Sequence, residues 1–435
     1  WWRRYSFTGW AAPPPPSTIR LAVLPPETDV NVAVIGNGIA LDWSARLRHA
    51  RAVPTRLVVI PLSTAIRYHV KDPHAAAGVL GATHTLQVRA RGGEEGYAIG
   101  ATLFDIGRGR STGLFESVYR RNTLGASQRL SAERLSRTLG FPVETAGTAL
   151  AAEAYSDYTE GLYYLEQAPN PERAIPYLRR ALAADRDGSI VMLALAQAEL
   201  LRFRHAADAA AEEQACQWLE RASATAPKSG YVDFVRATLL RSAGRLSEAE
   251  KAFRHVLEAD PRNGPALRGL ASLLAESNRS DEAIAVYRRA IQAEPGYFQP
   301  VLELGVLFYF RGQYAEAERE FVRVTELAGQ LAQARQNLAA VLADTAQYDR
   351  AEKELQQALN LQRTSDTLAG MGAAGIPGPA LGIGLLLRAG RGAGTGTVPA
   401  NLQPSGRLPP NGAPAGVGAN VYQGPYRRPP RPCAQ

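Results

Sequence analysis

Residues 282–295 read EAIAVYRRAIQAEP, with Ala283, Tyr287, Ala290 and Pro295 in a fixed frame. Residues 248–261, 34 positions earlier, read EAEKAFRHVLEADP and put Ala249, Phe253, Val256 and Pro261 in the same frame. Ala317, Phe321 and Val324 continue it downstream, and Ala351, Leu355 and Ala358 repeat it once more. Self-similarity at one fixed period marks a helix-turn-helix solenoid. A preceding helix obeys the same period. Leu267, Leu270, Ala271 and Leu274 stand in one copy, and Val301, Leu304, Gly305 and Phe308 in the next. The spacing is a packing code. Small residues at Ala271, Gly305, Ala283 and Ala317 let two antiparallel helices approach, while Phe253, Tyr287 and Phe321 fill the space between repeats. No single repeat buries its own apolar face, so several must stack.

The motif A-x3-F-x2-A-x4-P, with the first-helix positions before it, resembles the tetratricopeptide repeat (TPR). Ala174, Leu178 and Ala181, with Gly161 and Tyr164 ahead of them, give the first copy; Ala215, Leu219, Ala222 and Pro227 give the second. Six repeats are expected over 148–366. The first step is 41 residues, seven beyond the period, and the surplus is expected in a longer inter-helix turn near 205–213.

Upstream of the repeats the pattern changes. IRLAVLP (19–25) and TRLVVIPL (55–62) read as buried strands. DWSARLRHAR (42–51) has helical spacing. DPHAAAGVLG (72–81) reads as a helix with Asp72 as N-cap, Pro73 at its first position and Gly81 as its stop. Residues 82–91 and 97–106 read as a hairpin, 114–121 as a further strand, and 124–139 as a closing helix. The expected order is β-α-β-α-β-β-β-α. The strings AVLP, GNGIALDWSARL, LVVIPLSTAIRY, LGATHTLQVRARGG and ATLFDIGRG are similar to the TolB-like α/β domain, over 19–142. That register takes Gly38-Ile39 as the opening of the first helix; Pro26 stands where the family usually carries Phe. The fold class expected is thus an α/β N-terminal domain, an all-α TPR solenoid and a disordered C-terminal tail.

Composition bounds the rest. The 435 residues carry 49 basic and 41 acidic side chains, a net charge of +8. After Asp366 no acid occurs, whereas Arg388, Arg391, Arg407, Arg427, Arg428 and Arg431 do, so six of those eight charges sit in the tail. The nearly balanced body argues against nucleic acid as a partner. Residues 367–435 hold 15 of the 40 Gly and 11 of the 29 Pro, which leaves too little apolar surface to repay ordering. That segment reads either as a disordered tail or as out-of-frame translation. At the other end, residues 1–18 contain a stiff Pro13–Pro16 linker. The opening WWRRYSFTGW suggests the exit of a membrane anchor upstream of Trp1, with a ragged chain end as the bland reading.

Chemistry-bearing motifs are sparse. Gly36 and Gly38 begin a G-x-G-x-x-G run, but Leu41 stands where the third glycine is needed. The six His are scattered, and Cys216 and Cys433 form no metal spacing; Cys216 reads as a small buried hydrophobe. Glu94-Glu95 reads as solvated charge in a hairpin turn. No nucleophile elbow, phosphate loop or kinase signature occurs. The expectation is a non-enzyme without metal or cofactor.

What remains is binding surface. In TPR stacks the first helices line a concave groove, and by that register the resemblance implies Phe234, Arg241, Arg268, Ser272, Glu276, Leu302, Tyr309, Gln336 and Asn337 as partner-binding residues. Tyr309 and Phe310 cannot both face the same core, because helix neighbours diverge by about 100°. The expected partner is a protein or peptide, a second copy of the chain included. The resemblance further implies a sensor or scaffold region of a membrane-anchored bacterial signalling protein, extracytoplasmic rather than cytoplasmic. The alternative is a free-standing TPR adaptor for envelope assembly or secretion.

Overall fold

The computed structural model describes residues 18–48, 51–52, 57–93, 96–140, 143–144, 150–206, 208–227 and 229–368. The expectations for the linker of residues 1–18 (Thr18 apart), for Glu94-Glu95 and for the tail from 369 onward lie outside these residues.

In the N-terminal lobe, β1 (Ile19–Val23) leads through the two-residue β2 (Glu27–Thr28) into α1 (Ala33–Arg48). The short β3 (Arg51–Ala52) precedes β4 (Leu57–Ile60), α2 (Leu62–Arg67) and α3 (Pro73–Leu80). Three long strands follow, β5 (His84–Gly93), β6 (Gly96–Asp105) and β7 (Arg110–Tyr119), then α4 (Ser127–Leu139) and β8 (Val143–Glu144). The main sheet runs β4-β1-β5-β6-β7, with β2 beside β5, while β3 and β8 pair separately. β1 is parallel to both β4 and β5, and the β5-β6-β7 meander is antiparallel.

β1 and β4 are largely apolar because both of their faces are covered. Leu21, Val23, Val59, Leu86 and Val88 pack with Ile35, Ile39 and Trp43 of α1. Ala22, Leu24, Val58 and Ile60 pack on the other face with Ala65, Ala76 and Leu80. The capping read for α3 is present: Asp72 Oδ1 accepts from His74 N and Ala75 N, both at 2.9 Å, and Gly81 ends the helix at φ 65°. The first helix starts nine residues earlier than the spacing suggests, so Gly38 lies inside α1 rather than opening it. Glycine there costs helix propensity, but contact decides. A Cβ on Gly38 would run into the Thr159 carbonyl oxygen of the first repeat, and one on Gly36 into the Thr28 side chain.

The described residues from 152 onward form six antiparallel helix pairs: α5 (Ala152–Glu166) with α6 (Pro171–Ala184), α7 (Ser189–Ala206) with α8 (Ala209–Thr225), α9 (Gly230–Ser242) with α10 (Leu246–Ala259), α11 (Gly264–Glu276) with α12 (Ser280–Ala293), α13 (Phe298–Phe310) with α14 (Tyr314–Leu327), and α15 (Ala332–Asp344) with α16 (Tyr348–Leu368). Ala249, Ala283, Ala317 and Ala351 are fully buried where the helices cross. The seven-residue surplus does not make a long turn. It lengthens the helices instead: α7 has 18 residues and α8 has 17, against 13 and 14 in the next pair. Extra helical turns keep every backbone group hydrogen-bonded, which a long loop would not. No helix among the described residues is long and apolar enough to cross a membrane.

The turns inside the repeats keep the period too. Gly244, Asn278, Gly312 and Ala346 all have positive φ, at 77°, 61°, 70° and 59°. Each lets the next amide fold back, as Arg245 N does to Leu240 O and Gln347 N to Leu342 O, at 2.9 and 2.8 Å. Ala346 is the strained member. Ala346→Gly is expected to raise stability by about 0.5–1 kcal/mol, once the extra unfolded-state entropy of Gly is set against the relieved clash. A higher urea midpoint at unchanged slope would show it.

Candidate functional site

The α/β lobe sits against the solenoid. At its near end, α1 packs on α5. Tyr155 Oη donates to Asp42 Oδ2 at 2.9 Å, and Arg46 Nε donates to the same carboxylate at 2.8 and 2.9 Å, all of them buried. Burial first, then the Asp42 charge, pushes the Tyr155 phenol well above its usual range. Gln167 Nε2 donates to Asn37 Oδ1 at 3.0 Å beside them. At the far end, α2 and α3 meet the start of α13 and the turn from α14 to α15. Gln330 N donates to Gly78 O at 2.8 Å, Tyr68 Oη to Gln333 Oε1 at 3.0 Å, and the Tyr68 ring meets Phe298 edge-on at 5.9 Å.

Between these two contacts lies a cavity of about 320 Å³. The first helices α9, α11 and α13 line it, together with Arg48, Ser63, Thr64 and Arg67 of the lobe. Five of the residues implied by register line it: Phe234, Arg241, Arg268, Ser272 and Glu276. The periodic frame brings three of them together. Arg241 Nη1 donates to Ser272 Oγ at 2.7 Å and to Glu276 Oε1 at 3.0 Å. Phe234 stands edge-on to Phe253 at 6.0 Å.

Arg268 lines the cavity but is a buried charge, only 8% exposed. Its Nε is 3.1 Å from Glu294 Oε2, in charge contact without hydrogen-bond alignment, and its guanidinium lies 5.2 Å from the centre of the Tyr297 ring. Burial pulls its pKa down, and Glu294, with Tyr297 and Glu303, reverses that into a net rise.

The other four implied residues do not reach the cavity. Leu302 is 1% exposed and belongs to the core, because it faces inward between repeats. Tyr309 turns to the next repeat, where its Oη donates to Asp344 Oδ2 at 2.7 Å, and burial raises its phenol first, with that bond adding to it. Gln336 and Asn337 are half-buried on α15, beyond the lining. The one of the two that faces solvent is Phe310, 52% exposed and part of the cavity lining. The divergence of helix neighbours gives these two rings different surroundings, although they still meet edge-on at 5.6 Å, and it did not say which would turn outward.

The lobe's contribution, together with Gln299 and Glu303, was missed. Nothing local in the strings around Arg48 and Ser63 signals a wall facing residues more than 200 positions away. Cys216 is half-buried rather than buried, and Arg245 Nη1 approaches its Sγ at 2.9 Å. Among the described residues no cluster of His, Cys, Asp or Glu could hold a metal ion.

No curated protein matches the chain. Solved structures similar to it include MamA (16% identity, covering 39% of this chain and 96% of that one, TM-score 0.34), PilF of Pseudomonas aeruginosa (19%, 48% and 91%, 0.38) and yeast Tom70 (16%, 60% and 51%, 0.42). Residues 234–298 and 332–365 match models of the tetratricopeptide repeat, and the long run of helices that contains them forms a stack of such repeats.

Proposed function

We propose that the chain is a non-catalytic interaction scaffold. A protein or peptide partner docks along the first helices α9, α11 and α13, entering from the end that the α/β lobe leaves open. The observation that carries this is Phe310, a large aromatic half in solvent in the lining of a cleft that also holds the Arg241–Ser272–Glu276 cluster. Aromatic and Arg side chains in such a setting are the usual anchors of an interface. The α/β lobe, read as TolB-like, positions the cleft. In this reading the whole is the sensor or scaffold region of a membrane-anchored bacterial regulator whose effector lies elsewhere in the parent protein.

The test is selection of peptides on the full chain from a displayed library, followed by variants. Phe310→Ala is expected to weaken the selected peptides by about thirtyfold, about 2 kcal/mol, as for an interface anchor. Its melting temperature should hold, because an exposed side chain is removed. Peptides that bind Phe310→Ala and Arg241→Gln as tightly as the parent chain would overturn the reading.

A further inference from the structure

The second repeat carries a sulfur chemistry that lies outside the cavity. Cys216 of α8 is half-buried and disulfide-bonded. The chain has one other cysteine, Cys433, which lies outside the described residues. The next repeat holds the sulfur of Cys216 through Arg245. Its Nη1 donates to Sγ at 2.9 Å, while its Nε and Nη2 hold the Glu248 carboxylate at 2.7 and 2.6 Å. When the bond is reduced, the same guanidinium faces the thiolate, the form of cysteine that attacks a disulfide.

Charge says what comes to this sulfur. Residues three and four apart share one face of a helix. Glu213 and Glu220 stand at those spacings on either side of Cys216, both exposed and without an ion pair among the described residues. The neighbouring Arg221 is turned onto the Trp218 ring, 4.7 Å from its centre. The stretch that ends at Cys433 reads Arg427-Arg428-Pro429-Pro430-Arg431-Pro432-Cys433, and no acid occurs after Asp366 to neutralise it. In the extended form that proline favours, at about 3.1 Å per residue, Arg431 stands about 6 Å from Cys433. At about 1.5 Å per helical residue, Glu220 stands about 6 Å from Cys216 along α8. The two spacings match. About 65 positions separate Leu368 from Cys433, a contour of roughly 200 Å, so reach sets no limit.

We propose that the acidic face of α8 docks the basic C-terminal segment of the same chain, Arg427 to Cys433, and that a Cys216–Cys433 disulfide clamps it there. Closure from the two thiols takes a low-molecular-weight disulfide as oxidant. The Cys216 thiolate attacks one of its sulfurs and expels one small thiolate. The Cys433 thiolate then attacks the Cys216 sulfur of the mixed disulfide and expels the second. Two electrons and two protons thus pass from the cysteines to two small thiols. The loop so closed contains the last four helix pairs.

The experiment uses the full chain in glutathione buffers of set oxidised-to-reduced ratio. Digestion without reductant, read by mass spectrometry, is expected to give one linked pair of peptides, carrying Cys216 and Cys433, from monomeric protein. The oxidised chain should melt at a higher temperature than the reduced one, because the cross-link restricts the unfolded chain. Docking has its own readout, the equilibrium constant for closing the bond against glutathione. Glu213→Arg with Glu220→Arg should lower it about tenfold, and 1 M salt should lower it in the parent chain. Adding Arg427→Glu, Arg428→Glu and Arg431→Glu to the first pair should restore it. Both glutamates are exposed, so these variants keep the fold. The proposal is overturned if both cysteines remain thiols or glutathione adducts at oxidising ratios. It is equally overturned if the bond joins two chains, or if neither salt nor charge reversal moves the closing constant. The proposal goes beyond the scaffold reading, and peptide selection at Phe310 can fail while this bond forms.

Discussion

Asp42→Ala is expected to lower stability by about 3–5 kcal/mol, the range for removing one partner of a buried ion pair. The substitution strips the buried Arg46 of the carboxylate it contacts at 2.8 Å and takes the acceptor from Tyr155. Both losses fall where α1 crosses α5, so the α/β lobe should loosen from the first repeat along with the drop in stability. Chemical denaturation measures the first effect. Hydrogen exchange in α1 and α5 measures the second. Asp42→Asn keeps an acceptor for the phenol and should cost less. An Asp42→Ala chain as stable as the parent would show that the network does not hold the lobes together.

Arg268→Ala should cost a similar amount, about 3–5 kcal/mol, through a different partner. Burial holds the Glu294 carboxyl above its ordinary 4.5, and Arg268 pulls it part of the way back. Without Arg268 the folded-state pKa rises further above the unfolded value. Stability from a group raised in this way is complete below the unfolded pKa and is lost as pH rises through the folded one. The variant's deficit should therefore be largest near neutral pH and should narrow as pH falls toward about 4.5. Urea melts across that range decide it, and a deficit independent of pH would refute the role given to Glu294. The register of the first helices alone made Arg268 a surface residue. The structure makes it a structural cation that also lines the cavity.

Arg268 marks the boundary of what could be read from the chain. Features that depend on near neighbours were legible. The 34-residue frame, the small residues at helix crossings, and the Asp72 and Gly81 ends of α3 all act within one or two turns. Features that depend on distant neighbours were not. Gly38 reads as a helix opener until Thr159 is seen to need its missing side chain. The surplus near 205–213 reads as loop because Ala-rich text has no strong period, yet α7 and α8 simply run longer. The site divides in the same way. Phe234, Arg241, Ser272 and Glu276 follow from the frame, which repeats the same orientation in each first helix. Arg48, Ser63, Thr64 and Arg67 come from a lobe whose docking no local pattern encodes, and they turn an open groove into a cavity.

In a stack of repeats each unit touches only the next, so stability is a sum of local terms and the array can fray from either end. Here the lobe touches α5 through Asp42 and Asn37, and also the α14–α15 turn and α15 through Gly78 and Tyr68. It spans the array as a string spans a bow. The two ends of the array are then tied through contacts that lie outside the repeats themselves. Loss of one end releases the whole arc, so unfolding should be closer to all-or-none than the repeats alone would allow. The same long-range closure asks the chain to bring residues some 250 positions apart into contact before the array is complete, which slows folding.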